Sequence, residues 1–146
     1  MTLLERLAEA KRTNNLGAMV RAIPYANLLG LEAEVGESGE LVTTMKFSPA
    51  LIGDAQMPAI HGGSIGALLE SAAVFELLWR AETIVLPKTI TLTVDYLRSA
   101  GPHDVHATSV ISRHGRRIAN VRIEAWQADR NQAIATAHAI FLVMRD

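Results

Sequence analysis

Sixteen consecutive residues, Ser64 to Trp79, carry only four polar side chains: Ser64, Glu70, Ser71 and Glu76. The run is too long for a strand, since strands usually span ~3–10 residues. It is apolar on nearly every face, so the spacing predicts a helix buried on all sides. A chain that buries a whole helix must wrap other elements around it. The segments that follow have the right pattern. Thr89 to Tyr96 alternates, with apolar residues at the even positions. Val105 to Arg113 is rich in β-formers, and Arg117 to Gln127 puts Ala119, Val121, Ile123 and Ala125 on one side. Ala133 to Met144 reads as a further strand. His114-Gly115 and Asp129-Arg130-Asn131 are the turns between them. Before the helix, Leu31–Val35 and Glu40–Phe47 read as a hairpin over Gly36-Glu37-Ser38-Gly39. Ser48 to Ile60 reads as a loop punctuated by Pro49, Gly53 and Pro58. Such short connections leave no room for crossover helices, so a parallel sheet is excluded. The expected class is α+β, with six antiparallel strands curled around one central helix.

The N-terminal part is helical. Thr2-x-x-Glu5 has the spacing of a capping box, and Leu3, Leu4, Leu7 and Ala10 follow at helical spacing. The helix should end near Asn14-Asn15, a short second turn should run from Leu16 to Arg21, and Ile23-Pro24-Tyr25 should break it. Residues 1–22 are therefore expected as a helical extension of a single domain spanning 1–146.

Composition narrows the function. The chain has 146 residues and a net charge of −1, which argues against a general nucleic-acid binder. It contains no Cys, which excludes a disulfide framework, a zinc ribbon and thiol catalysis. The longest apolar run, Ala139 to Met144, is far short of the ~18 residues of a membrane span. No apolar signal core follows Met1. These features together suggest a cytoplasmic protein. His103, His106, His114 and His138 lack metal-ligand spacing, and no metal is expected.

Glu70 is the anomaly. Its neighbours at three and four residues are Gly66, Ala67, Ala73 and Val74, none of them basic, whereas Glu76 has Arg80 four residues on. Glu76 thus reads as a surface ion pair. Glu70 reads either as a carboxylate meeting solvent or an Arg from elsewhere, or as a reactive group in an apolar pocket. His61-Gly62-Gly63 at the helix start bears on that choice. The first N–H groups of a helix have no internal partner and lie at the positive end of its dipole. Glycines there let a ligand approach the backbone. An electrophile-binding N–H with a carboxylate eight residues after Gly62 describes an acyl-transfer site.

With these motifs, and with Asp95-Tyr96-Leu97-Arg98-Ser99-Ala100 and Arg113-His114-Gly115-Arg116-Arg117, the chain resembles the hot-dog-fold acyl-CoA thioesterases. The likeness is to the phenylacetate-catabolism (PaaI-like) type, related to the 4-hydroxybenzoyl-CoA thioesterases, and covers residues 25 to 144. The resemblance implies hydrolysis of an acyl-CoA to free acid and CoA. Glu70 would be nucleophile or general base, and the Gly62 N–H would polarise the thioester carbonyl. Thr89 would help position water or the carboxylate, and His61 would order the loop. Many members carry an Asn shortly before His-Gly-Gly; here the loop reads Gly53-Asp54-Ala55-Gln56, leaving Asp54 or Gln56 for that place. Gly63, Arg98, Ser99, Arg113, His114, Gly115, Arg116 and Arg117 are candidates for holding CoA. The resemblance also implies a homodimer or a dimer of dimers, with sites between subunits. It implies no cofactor, since coenzyme A enters with the substrate. Ile65, Leu69, Phe75 and Met57-Pro58 are expected to line the acyl pocket. Two other readings are a non-catalytic acyl-CoA-binding protein and an enoyl-thioester hydratase or dehydratase.

Overall fold

The capping box at the start forms as its spacing predicts. In the computed structural model, which describes residues 1–82 and 84–144, Thr2 Oγ1 accepts from the Glu5 N–H at 3.2 Å and Glu5 Oε2 accepts from the Thr2 N–H at 2.7 Å. Helix α1 then spans Leu3–Arg12. Asn15 caps α2 (Leu16–Arg21) by accepting from the Ala18 N–H at 2.9 Å. Pro24 ends α2, as expected, but it also opens α3 (Pro24–Leu28). At the first helical position its missing N–H costs nothing and its φ suits the helix. Leu7 and Ala10, Met19 and Val20, and Ala26 tie the three helices in turn to the core. Lys11 Nζ donates to the Leu78 carbonyl at 3.1 Å, which satisfies a carbonyl near the end of the central helix.

The central helix, α4, spans Gly62–Arg80. The strands are β1 (Leu31–Val35), β2 (Leu41–Met45), β5 (Lys88–Tyr96), β6 (Val105–His114), β7 (Ile118–Trp126) and β8 (Ala135–Leu142). They form one antiparallel sheet in the order β1-β2-β6-β7-β8-β5. Its inner face carries Ala107, Ala119, Val121, Ile123, Ala125, Ala135, Ala139 and Phe141, all buried. The alanines leave room for α4 to lie close on the sheet. The segment expected as a bare loop, residues 48–60, contains a 3₁₀ turn (Pro49–Leu51) and a two-stranded sheet of β3 (Ile52–Asp54) and β4 (Ala59–Ile60).

Register defines the two ends of the six-stranded sheet. Tyr96 pairs with Ala135, Ala135 with Ala125, and Ala125 with Ala107, which marks one end. Thr89 pairs with Phe141, Phe141 with Ala119, and Ala119 with His114, which marks the other. Helix α4 runs from the first to the second. The Tyr96 hydroxyl donates to the Gly62 carbonyl at one end, and Arg80 Nη2 donates to the Gly39 carbonyl in the β1–β2 turn at the other.

Several expectations change on burial. The central helix is not covered on every side: Ser64, Ala67, Glu70, Ser71 and Val74 form a stripe at helical spacing that stays partly open. Glu70 is thus half-buried, while Glu76, expected at the surface, is the buried acid, with only 8% of its surface exposed. It keeps its expected partner, with Arg80 Nε donating to Glu76 Oε1 at 3.0 Å. Ile65, Leu69 and Phe75 fill the core rather than an acyl pocket, and Met57 is exposed. His138 is exposed on β8. Strand β5 is an edge strand, which leaves its apolar alternation only half covered; Ile90, at a register shift, stays 52% exposed. Among the described residues no helix is long and apolar enough to cross a membrane.

Candidate active site

The His61-Gly62-Gly63 turn explains its own residues. His61 takes extended backbone, φ −59 and ψ 128, and caps α4 by accepting at Nδ1 from the Gly63 N–H at 2.9 Å. An accepting Nδ1 places the ring proton on Nε2. A Cβ at residue 63 would lie 2.9 Å from the imidazole Cε1 and Nδ1, so the cap requires glycine there. Ser64 Oγ donates to the His61 carbonyl at 2.7 Å. The loop is tied behind by His61 N–H to the Leu51 carbonyl, 2.8 Å, and Ile60 N–H to the Ala100 carbonyl, 2.9 Å. Strand β3 passes so close that a Cβ on Gly53 would meet His61 Cα at 2.9 Å. The Gly63 N–H is therefore occupied. The Gly62 N–H is in the first turn, where no intrahelical acceptor exists, and it remains the donor a ligand can use.

Glu70 stands on the half-open stripe of α4. It makes no hydrogen bond or ion pair with any described residue, so its carboxylate is free to meet a substrate. Gly62 and Glu70 do not meet within one chain. Eight residues at ~1.5 Å rise put them ~12 Å apart along one helix. Groups that act on a single carbonyl need contacts near ~3 Å.

The other candidates fall into three places. Asp54 and Gln56 lie on the exposed β3–β4 turn. Asp54 Oδ1 accepts from the Gln56 and Met57 N–H groups, at 3.0 and 3.3 Å, and so holds the turn itself. Arg98 and Ser99 follow β5 at the Tyr96 end, where they line a cleft of 710 Å³ with His103, Gln127 and Gln132. Arg98 Nη1 donates to the Ala133 carbonyl at 2.9 Å. Arg113, His114, Gly115, Arg116 and Arg117 form the exposed β6–β7 hairpin at the far end. Gly115 is needed there because a Cβ would stand 3.1 Å from the Ile118 carbonyl oxygen. The four candidate arginines thus lie at opposite ends of the sheet, Arg98 at one and Arg113, Arg116 and Arg117 at the other. Thr89 is exposed on β5, level with the far hairpin. Among the described residues no group of three or more His, Asp or Glu is placed to hold a metal ion.

Sequence reasoning passed over Tyr96. Its hydroxyl donates to the Gly62 carbonyl at 2.7 Å, across 34 residues of chain. Its even position in β5 marked it as one of the inward-facing apolar residues, and no local signal points to the bond.

The pKa shifts that stand out lie away from Gly62 and Glu70; burial against the far end of α4 lowers the pKa of Lys11. The Phe47 N–H, then Lys46, hold the Asp104 carboxyl below its ordinary value. The Arg130 hydrogen bond does the same for Glu40, which is ion-paired to Arg130.

Residues 53–142 match the family model described as the acyl-CoA thioesterase N-terminal domain. A medium/long-chain acyl-CoA thioesterase, YigI, of Salmonella typhimurium is 33% identical over 134 residues, covering 83% of this chain and 86% of that protein. A crystal structure of a protein from Chromobacterium violaceum superposes with a TM-score of 0.78 at 37% identity, covering 97% of this chain and 98% of that one. The PaaI protein of the Escherichia coli phenylacetic acid degradation operon shares the fold, with a TM-score of 0.74 at 17% identity over 99% of this chain and 97% of its own.

Proposed function

The chain belongs to the acyl-CoA thioesterase family and has its hot-dog fold, and from that premise we propose that two copies share each active site, Gly62 from one facing Glu70 from the other. The observation that carries this reading is the ~12 Å between the two groups along one helix. An antiparallel second helix, related by a two-fold axis, brings Glu70 of one copy towards Gly62 of the other, and the symmetry makes two such sites. The half-open stripe of small residues beside Glu70 and the unpaired edge of β5 support a second copy.

The chemistry follows from the groups. The Gly62 N–H accepts the negative charge that grows on the thioester oxygen. The Glu70 carboxylate attacks the carbonyl carbon, or takes a proton from the water that does. In the first case CoA leaves as the thiolate, and water then hydrolyses the acyl–Glu70 anhydride and supplies the proton that the thiolate takes up; in the second the carbon–sulfur bond breaks as the leaving thiolate takes the proton from Glu70. His61 acts through the backbone, holding the turn, and Arg98 with Ser99 lines a cleft at the same end of the sheet, where the guanidinium can meet a phosphate of CoA. The names of the YigI relatives point to medium and long acyl chains as the substrates to try first. The absence of Cys fits a reducing cytoplasm.

Thiol release from short, medium, long and aromatic acyl-CoAs, with wild type beside Glu70→Gln, tests the reading. Turnover by the wild type with a loss of ~10²–10⁴-fold in the variant is expected for a lost general base or nucleophile. Full activity in Glu70→Gln would remove the carboxylate from the mechanism. Tight binding with no release would favour a binding protein instead.

A further inference from the structure

We infer that Tyr96 is the positioning residue for the oxyanion donor, an inference that rests on the role given to Gly62 above. Tyr96 is the last residue of β5 and 54% exposed. Its ring lies against the first turn of α4. A Cβ on Gly62 would stand 3.2 Å from Tyr96 Cε1 and 3.3 Å from Cζ, and a Cβ on Gly66 would stand 3.4 Å from the hydroxyl. Two bare Cα atoms one turn apart therefore make the bed on which the ring rests. The hydroxyl then donates to the Gly62 carbonyl at 2.7 Å.

The first turn is held from two sides. The His61 imidazole holds the Gly63 N–H from the loop. Tyr96 holds the Gly62 carbonyl from the sheet. Both bonds fall on the one peptide unit that joins Gly62 to Gly63 and fix its rotation. The Gly62 N–H belongs to the unit before it, whose His61 carbonyl accepts from the Ser64 hydroxyl and N–H, and among the described residues this N–H has no partner. An oxyanion donor works only if its direction is set before the reaction begins. Tyr96 anchors the following peptide unit from an element other than the helix, so the Gly62 Cα about which the donor would turn is held against fraying of the helix end. The ring packs closely over Gly62 and lies in ordinary contact with Gly66.

Tyr96→Phe keeps the ring and removes the bond. With medium-chain acyl-CoA, kcat should fall roughly tenfold, part of what a whole oxyanion donor contributes. KM should stay within about twofold, because ground-state binding is untouched. The melting temperature should hold, while hydrogen exchange of the 61–66 amides speeds up. Unchanged kcat, or a kcat loss explained by a lower melting temperature, would overturn the inference. Its fate is separable from that of the site reading. If wild type releases no thiol, or Glu70→Gln keeps the full rate, the site reading fails. The exchange experiment then decides the clamp alone: faster exchange in Tyr96→Phe supports it, and unchanged protection at 61–66 overturns it.

Discussion

Glu70 and Glu76 stand six residues apart on one helix and meet different surroundings. The i,i+4 spacing identified the Arg80 partner of Glu76 correctly, but not its depth. In a helix apolar almost all round, periodicity does not say which stripe the sheet leaves open, and that stripe turned out to hold Glu70. The buried acid has one oxygen on Arg80 and the other, Oε2, buried without a protein partner. A buried carboxylate satisfied on one side only is a cost. Glu76→Met, of similar volume, should therefore be neutral or stabilising by ~1 kcal/mol. Arg80→Ala leaves the carboxylate buried and unpaired, and should cost ~2 kcal/mol. Urea denaturation of both variants checks the pair, and a large loss in Glu76→Met would show that the ion pair holds the helix in place. His61, Gly62 and Gly63 were readable because a cap and a helix start are local. Tyr96 was not, because its bond crosses from sheet to helix.

Helices and strands follow the same division. The β7 alternation placed Ala119, Val121, Ile123 and Ala125 on the buried face, as found, since a central strand has one face on the core. The same alternation misled in β5, because an edge strand covers that face only in part. Residues 48–60 gave loop signals of Pro and Gly, yet β3 and β4 pair there, two strands too short for alternation to show. The sequence did not say how the candidate arginines lie relative to one another; the register sends Arg98 and the β6–β7 hairpin to opposite ends. At the Tyr96 end, Asp104 ties β6 to the chain after β2, accepting from the Phe47 N–H at 2.7 Å and meeting Lys46 Nζ at 2.9 Å. Its carboxyl is held below the ordinary value of 3.8. A depressed carboxyl stabilises the fold above its unfolded pKa, and that contribution is lost as pH falls through the folded one. Melting temperatures across pH 7 to ~2.5 should thus fall on acidification, and Asp104→Asn should start lower at neutral pH and fall less. Parallel curves for the two proteins would mean that Asp104 contributes nothing to the pH dependence.

For the molecule as a whole, the architecture was readable from one long apolar run and the alternating segments around it. The completeness of the site was not. Motif spacing put Gly62 and Glu70 eight residues apart, and only the helical rise shows that this distance forbids their meeting within one chain. Subunit complementation tests that directly. Gly62→Pro removes the donor N–H; proline is tolerated at the first helical position, the extended His61 backbone suits a residue before proline, and the exposed Tyr96 ring must give by a few tenths of an ångström to admit the added Cβ. Each of Gly62→Pro and Glu70→Gln alone should be nearly inactive. Unfolded together and refolded as a mixture, they should recover up to about a quarter of wild-type activity, because half the dimers are mixed and each mixed dimer has one intact site of two. No recovery on mixing, with dimers shown by light scattering, would contradict a site shared between copies.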